Sequence, residues 1–332
     1  MPARNKQWLL ASRPRRAAVE SDFELVETDP PAPRDGQVLV KVRFLSLDPY
    51  MRGRMDDARS YAPSQELGQV MVGGTAGEVV ESRHPAFQAG DAVVGMGGWQ
   101  ELFLSDGQGL RKVDAATLPL SAHLGPAGMP GVTAWYGLDR VGQPRAGETA
   151  LVTAAAGAVG SVAGQLARLR GCRAVGVAGG PAKCAHVVGD LGFDACVDYR
   201  APDFREALKA ACPSGVDFVF ENVGGPVLDA ALARMNPFGR VALCGLVAGY
   251  QGGEIPIRGV RLLLVNRVRL QGFIVSDHLD LWPQAIRELA GLLASGKLRY
   301  RETVADGIES APRAFVGMLR GENLGKQLVR VS

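Results

Sequence analysis

From Glu148 to about Gly245, short apolar runs alternate with helix-length segments, and the first run ends in a glycine-rich turn. This feature constrains the fold more than any other. Strands are expected at 150–153, 174–177, 195–197, 218–221 and 240–245. Helices are expected between them at 159–170, 183–191, 204–211 and 227–235. The strand segments are continuously apolar rather than alternating, as in a parallel sheet covered on both faces. Strand–helix alternation of this kind implies an α/β, doubly wound sheet.

The chain before this region has another character. Val38, Val40, Val42 and Phe44 alternate with Leu39, Lys41 and Arg43, the period of a half-buried strand. Residues 68–81 are rich in Val and Gly, as strands bending in a barrel are. Short strands are also expected at 92–95 and 100–104, with no 15-residue amphipathic helix. An irregular β-barrel follows. At 332 residues the chain exceeds the ~250–300 at which one core stops growing. Two domains are expected: 1–127 completed by 301–332, and 128–300.

The segment Leu151-Val152-Thr153-Ala154-Ala155-Ala156-Gly157-Ala158-Val159-Gly160 is a variant dinucleotide fingerprint, with Ala155 at the first glycine position. Gly157 lets the backbone approach a pyrophosphate, and Gly160 lets the helix pack on the strand. The free N–H groups and positive dipole end of the helix face the phosphates. The turn follows an expected strand and opens a helix, which is the context that gives the pattern weight. An NAD site places a carboxylate roughly 20 positions later, on the ribose 2′-hydroxyl. Between Ser161 and Gly189 there is no Asp or Glu, and Lys183 follows Gly179-Gly180. Taken alone, Lys183 reads as an exposed helix lysine. Joined to the missing carboxylate, it points to a 2′-phosphate and so to NADP(H).

Composition narrows the remaining classes. A net charge of +3 argues against nucleic acid, and no stretch reaches the ~18 apolar residues of a membrane span. The start lacks the pattern of a secretory signal. The five cysteines, Cys172, Cys184, Cys196, Cys212 and Cys244, contain no C-x-x-C pair. They fit free thiols in a reducing compartment. A cytoplasmic protein acting on a small molecule is expected.

Five segments carry a resemblance over the whole chain: Leu47-Asp48-Pro49-Tyr50-Met51-Arg52, Gly128 to Ala134, Ala154 to Gly160, Glu221-Asn222-Val223-Gly224-Gly225, and Gly321-Glu322-Asn323-Leu324-Gly325-Lys326. The chain resembles the zinc-independent branch of the medium-chain dehydrogenase/reductases, the branch of the prostaglandin, alkenal and curcumin reductases. The resemblance implies a GroES-like irregular β-barrel domain plus a Rossmann domain, an NADPH-dependent reduction of the carbon–carbon bond of enals or enones, and a homodimer. It also implies contacts. Gly157, Ala158, Val159 and Gly160 would hold the pyrophosphate, and Lys183 and Tyr199 the 2′-phosphate. Asn222 would touch the ribose or nicotinamide side. Cys244, Gly245, Leu246 and Tyr250, with Phe273, Ile274 and Val275, would line the nicotinamide channel, and Asn323 would close over the cofactor. Each has a plainer alternative, Asn222 and Asn323 as turn residues and Cys244 as a small buried hydrophobe, with the functional reading favoured for the two asparagines.

No metal is expected. The barrel segment has no cysteine. Asp48-Pro49-Tyr50 and Gly68-Gln69 stand where similar zinc members carry ligands, and His84, His123, His186 and His278 are scattered. Without a Lewis acid, an enone is a more tractable electrophile than a simple ketone. Its reduction needs a donor for the developing enolate oxygen. Tyr50 and Tyr250 are candidates, with Tyr61 at the cleft entrance, although each also reads as a packing aromatic with a wet tip. Arg52 reads as a partner for an acidic substrate tail or as an ion pair within the barrel. Several eukaryotic relatives carry a tyrosine where this chain has Val265. That puts any single tyrosine acid in doubt and leaves water as a proton source. A quinone oxidoreductase on the same fold, or a non-catalytic NADPH-binding protein, are the rival readings.

Overall fold

The structure is a computed structural model and describes residues 4–250 and 252–331. The chain divides into two compact units, Met1–Leu124 with Glu302–Ser332, and Gly125–Arg301. Among the described residues the strands form sheets of two, six and seven strands.

The first unit opens with β1 (Asn5–Leu10) paired antiparallel with β2 (Phe23–Thr28). Then come β3 (Val38–Ser46), α1 (Tyr50–Arg54), β4 (Thr75–Ser82), β5 (Ala92–Gly95), β6 (Leu102–Ser105) and β7 (Arg111–Lys112). The expected inward residues Val38, Val40 and Val42 of β3 are buried, but so is Leu39 between them, and after Val42 the alternation fails. Leu45 is buried and Phe44 only partly so. The cause is a register irregularity between Val42 and Phe44 against β4, where an extra residue turns the following side chains to the other face. Trp99 anchors this core, stacked on Phe23 at 5.0 Å and edge-on to Phe315 at 5.5 Å.

The second unit begins with α2 (Met129–Tyr136), after which strand and helix alternate. The order is β8 (Thr149–Thr153), α3 (Gly160–Leu169), β9 (Arg173–Ala178), α4 (Pro181–Gly189), β10 (Ala195–Asp198), α5 (Phe204–Ala211), β11 (Val216–Glu221), α6 (Gly225–Leu232) and β12 (Met235–Leu243). Then follow α7 (Val260–Val265), β13 (Arg269–Gly272) and α8 (Trp282–Ala294). The sheet runs β10-β9-β8-β11-β12-β13, all parallel. Strand order reverses between β8 and β11, so the crevice beyond their carboxyl ends is where such a sheet receives a ligand. The buried Leu151, Val175, Val219 and Val241 explain the continuous apolar runs, because helices cover both faces. The chain then returns to the first unit with β14 (Glu302–Asp306), α9 (Ala311–Leu319) and β15 (Lys326–Arg330). There β15 pairs antiparallel with β3.

Candidate active site

The glycine-rich turn leaves β8 at Thr153. Ala154 takes a left-handed conformation (φ +50°), and the Gly157 N–H donates to the Ala154 carbonyl at 2.9 Å. A non-glycine residue held there stores a modest strain, of order 1–3 kcal/mol. The turn brings the start of α3 against β8. A Cβ on Gly160 would lie 2.3 Å from the Ala154 carbonyl oxygen, so only glycine fits. A Cβ on Gly157 would meet only that same oxygen, at 3.2 Å, and otherwise open space. Val159 is the N-cap of α3, with Ala158 before it, and no side chain caps the helix. The N–H groups and dipole of a ten-residue helix therefore meet whatever lies beyond the turn.

Next to it, the end of β11 is tied down by buried hydrogen bonds. The Asn222 N–H donates to Thr153 Oγ1 and its side-chain amide to the Thr153 carbonyl, both at 2.8 Å. Glu221 is fully buried. Its Oε1 accepts from the N–H groups of Val223 and Gly224 at 2.6 Å, and its Oε2 has no partner. Burial raises the Glu221 pKa, with the Gly224 and Val223 N–H groups and the Thr153 hydroxyl opposing. The backbone N–H groups of Cys244 and Gly245 both donate to the Glu221 carbonyl, at 2.8 and 3.1 Å. The segments 153–160, 221–225 and 244–246 are thus brought together at the carboxyl edge of the sheet. Burial pushes the Cys244 thiol up to about 12, so it stays a neutral thiol. Leu246 is exposed, and Tyr250 follows on a single helical turn with its N–H on the Val247 carbonyl at 3.1 Å.

A second cluster forms at the ends of β9 and β10. Lys183 is half-buried on α4 rather than exposed, and burial and the nearby Arg200 lower its pKa. The Arg200 guanidinium lies 5.7 Å over the Tyr199 ring. Gly179 makes room for both, because a Cβ there would sit 2.8 Å from the ring and 3.1 Å from Arg200 Nε. Asp198 Oδ1 fixes the corner by accepting from the N–H groups of Gly180 and Arg200 at 2.8 and 2.9 Å. The sequence pattern singled out Lys183, the resemblance added Tyr199, and neither named Arg200. A basic residue directly after Tyr199 was the available signal.

The other candidates lie elsewhere. The Phe273 ring packs on Tyr136 at 5.5 Å and Phe220 at 6.2 Å, so it is fixed by packing. Ile274 is extended, and the Val275 carbonyl accepts from Trp282 Nε1 at 3.1 Å. In the first unit, Asn323 donates to the Gly325 carbonyl at 2.8 Å, the local turn bond open to it from sequence. Tyr50 begins α1. Burial, then Asp48, raise its pKa, with Tyr61 near enough to add to the effect, so its hydroxyl keeps its proton. The turn before Tyr50 is held from beneath. The buried Lys326 ammonium donates to the Leu47 carbonyl at 2.6 Å and to Asp48 Oδ1 at 2.9 Å, and Ser46 Oγ donates to Asp48 Oδ2. Arg52 is buried, paired with Asp56 at 2.7 Å and donating to the Arg16 carbonyl at 2.5 Å, which favours the structural reading of that residue.

The chain is similar to known proteins over its whole length. The NADPH-dependent curcumin reductase of Escherichia coli (strain K12) is 48% identical, over 99% of this chain and 97% of that protein. Prostaglandin reductase 1 of Rattus norvegicus is 41% identical, over 98% of both. The chain belongs to the medium-chain dehydrogenase/reductase family. The profile described as the N-terminal domain of oxidoreductase matches residues 6–113, and the one described as zinc-binding dehydrogenase matches 158–291. The crystal structure of CurA in complex with NADPH from Vibrio vulnificus superposes with a TM-score of 0.94 at 43% identity, covering 98% of this chain and 99% of that one. Among the described residues, no group of three or more His, Cys, Asp and Glu side chains is arranged to hold a metal ion. No helix there is long and apolar enough to cross a membrane.

Proposed function

We propose that this protein is an NADPH-dependent reductase of the carbon–carbon double bond of α,β-unsaturated aldehydes and ketones. The observation that carries the reading is whole-length kinship with curcumin and prostaglandin reductases, together with a turn built for a dinucleotide. The residues present fit the cofactor. Gly157 leaves open the space a Cβ would fill, the N-terminus of α3 has no side-chain cap, and Lys183, Tyr199 and Arg200 offer cations and a ring at the ends of β9 and β10. When bound, NADPH supplies a hydride for the β-carbon.

The backbone at Gly157 to Gly160 receives the pyrophosphate, Lys183 and Tyr199 receive the 2′-phosphate, and Asn222 faces the ribose and nicotinamide side. The segments Cys244–Leu246 and 273–275, with Tyr250, line the channel, and Asn323 contributes from the tail. No carboxylate stands ready for a ribose 2′-hydroxyl between Ser161 and Gly189, which supports NADPH over NADH. Tyr50 donates its phenolic hydrogen to the substrate carbonyl oxygen as negative charge develops there. Its raised pKa keeps that proton in place at neutral pH. Tyr61, and Tyr250 from the cofactor domain, are further candidate donors, and solvent supplies the proton that the α-carbon takes up. Residues 1–127 with 301–332 form the substrate-handling domain and 128–300 the cofactor domain.

A homodimer is supported by the position of β13 at the edge of the six-stranded sheet and by the exposed apolar Val260, Leu264, Val265 and Leu279 nearby in sequence. The cytoplasm is the proposed location. The test is isotopic. With deuteride-labelled NADPH and an enone such as 3-nonen-2-one, deuterium should appear on the β-carbon of a saturated ketone. An allylic alcohol carrying deuterium on the former carbonyl carbon would show that the reaction class is wrong.

A further inference from the structure

Two thiols outside the proposed chemistry meet in the second unit. Cys184 lies on α4 and Cys196 on β10. Their sulfurs are 2.9 Å apart, the Cys196 S–H donating to Cys184 Sγ. No side chain on the neighbouring strand comes between them, because β9 places Gly176 opposite Cys196. Closing the gap to the ~2.04 Å of a disulfide moves the sulfurs by less than about 1 Å. We propose that Cys184 and Cys196 form a reversible intramolecular disulfide, a modification site that staples α4 to β10.

The reaction partner is a low-molecular-weight disulfide such as oxidised glutathione. Cys184 loses its proton to solvent and attacks one sulfur of that disulfide. This breaks its S–S bond, forms a mixed disulfide and releases one small thiolate, which takes up a proton. Cys196 then loses its proton and attacks Cys184 Sγ, forming the internal bond and releasing the second small thiol. Two protein thiols are oxidised and one disulfide is reduced to two thiols. The order follows from the contact, since the Cys196 S–H stabilises a thiolate on Cys184. Burial raises the pKa of both thiols, so at neutral pH the pair rests as a dithiol and reacts slowly unless the exchange partner is abundant.

The staple spans a functional corner. Lys183 precedes Cys184 on α4, and β10 leads from Cys196 to Asp198, Tyr199 and Arg200. If that corner holds the 2′-phosphate, as proposed above, the bond joins two elements in the positions they already occupy and leaves the KM for NADPH within about twofold, in keeping with preorganisation.

The full-length protein, freed of reductant, is incubated with oxidised glutathione at pH 8. Thiols are counted after denaturation, and peptides are mapped by mass. Wild type should lose two of its five thiols and yield a Cys184–Cys196 cross-linked peptide, reversed by dithiothreitol. Cys196→Ser should instead trap one glutathione on Cys184, and Cys184→Ser should form no internal bond. Five intact thiols, a cross-link involving Cys172, Cys212 or Cys244, or a persistent glutathione adduct on wild type would overturn the proposal. A cross-linked enzyme with its NADPH KM raised tenfold would overturn the staple while leaving the disulfide. The thiol count does not depend on the enzymatic reading, so the two can fail separately.

Discussion

Two alanine substitutions three residues apart in the glycine-rich turn should have opposite signatures. At Gly160 the new Cβ would lie 2.3 Å from the Ala154 carbonyl oxygen, 2.9 Å from its carbon and 3.0 Å from Ala155 Cα. All three are backbone atoms, so no side chain can swing aside, and α3 must back away by roughly 1 Å. Overpacking of this kind costs about 1–3 kcal/mol. For a unit of this size that lowers Tm by roughly 2–4 °C per kcal/mol. At Gly157 the new Cβ would have a single tight contact, 3.2 Å from the same oxygen, and otherwise open space. Gly157→Ala should therefore keep Tm within about 1 °C, yet raise the Kd for NADPH at least about tenfold, because the methyl stands where the pyrophosphate approaches. The assay is a thermal melt without cofactor, paired with NADPH fluorescence titration. A Gly157→Ala protein that binds NADPH like wild type would refute the placement of the pyrophosphate. A Gly160→Ala protein of unchanged Tm would refute the steric argument.

Four further expectations follow. Lys183→Ala should raise the KM for NADPH by about 10–100-fold, the scale of one lost charge-assisted phosphate contact, and change that for NADH little; equal use of both cofactors by the unmodified enzyme would remove the assignment. Tyr50→Phe should lower kcat by a factor on the order of 10 to 1,000 with NADPH binding intact. Because burial raises the Tyr50 pKa, the phenol stays protonated past its ordinary ~10, so the wild-type rate should show no alkaline loss below about pH 10; a fall centred near pH 8 would contradict this. Dialysis against a chelator should leave activity unchanged, and elemental analysis should find no stoichiometric zinc, whereas one zinc per chain with activity lost on its removal would overturn the metal-free chemistry.

The cofactor half of the molecule was legible because its signals are local. The run Phe218-Val219-Phe220 is apolar throughout since helices cover both faces, and the Asn-Val-Gly-Gly turn that follows Glu221 announces its end. The first half was harder to read, and so was the part of the cofactor half that follows β12. The strand Asn5–Leu10 alternates weakly, because much of it is only partly buried. The edge strand Arg269–Gly272 is four residues long and largely exposed, so it has no apolar run to betray it. The helix Trp282–Ala294 is strongly amphipathic, yet it lies beyond the regular alternation that guided the reading. The bulge after Val42 was invisible because register depends on the partner strand, which lies more than 30 residues away.

The candidate site divides along the same physical line. Turns set by backbone could be read, because Gly160 and Gly224 occupy positions whose geometry excludes or discourages side chains. Supports made by side chains distant in sequence could not. Lys326 reaches back 278 positions to Asp48, and Gln165 reaches forward 134 to bond the backbone of Arg299. Arg200 faces Lys183 only because β10 lies beside β9. The buried lysine is the instructive case. In the segment Gly-Glu-Asn-Leu-Gly-Lys, Asn323 drew attention as a cofactor contact, and the structure gives its amide a local turn bond. Lys326 ends the same segment and is buried, its ammonium satisfied by a carbonyl and a carboxylate at the base of the Tyr50 turn. A charge taken out of water is costly unless paired, so this lysine and Asp48 form one unit with the geometry of the turn. The Asp-Pro-Tyr-Met-Arg and Glu-Asn-Leu-Gly-Lys segments therefore meet in one contact, made by the Asp48 that opens the first and the Lys326 that closes the second.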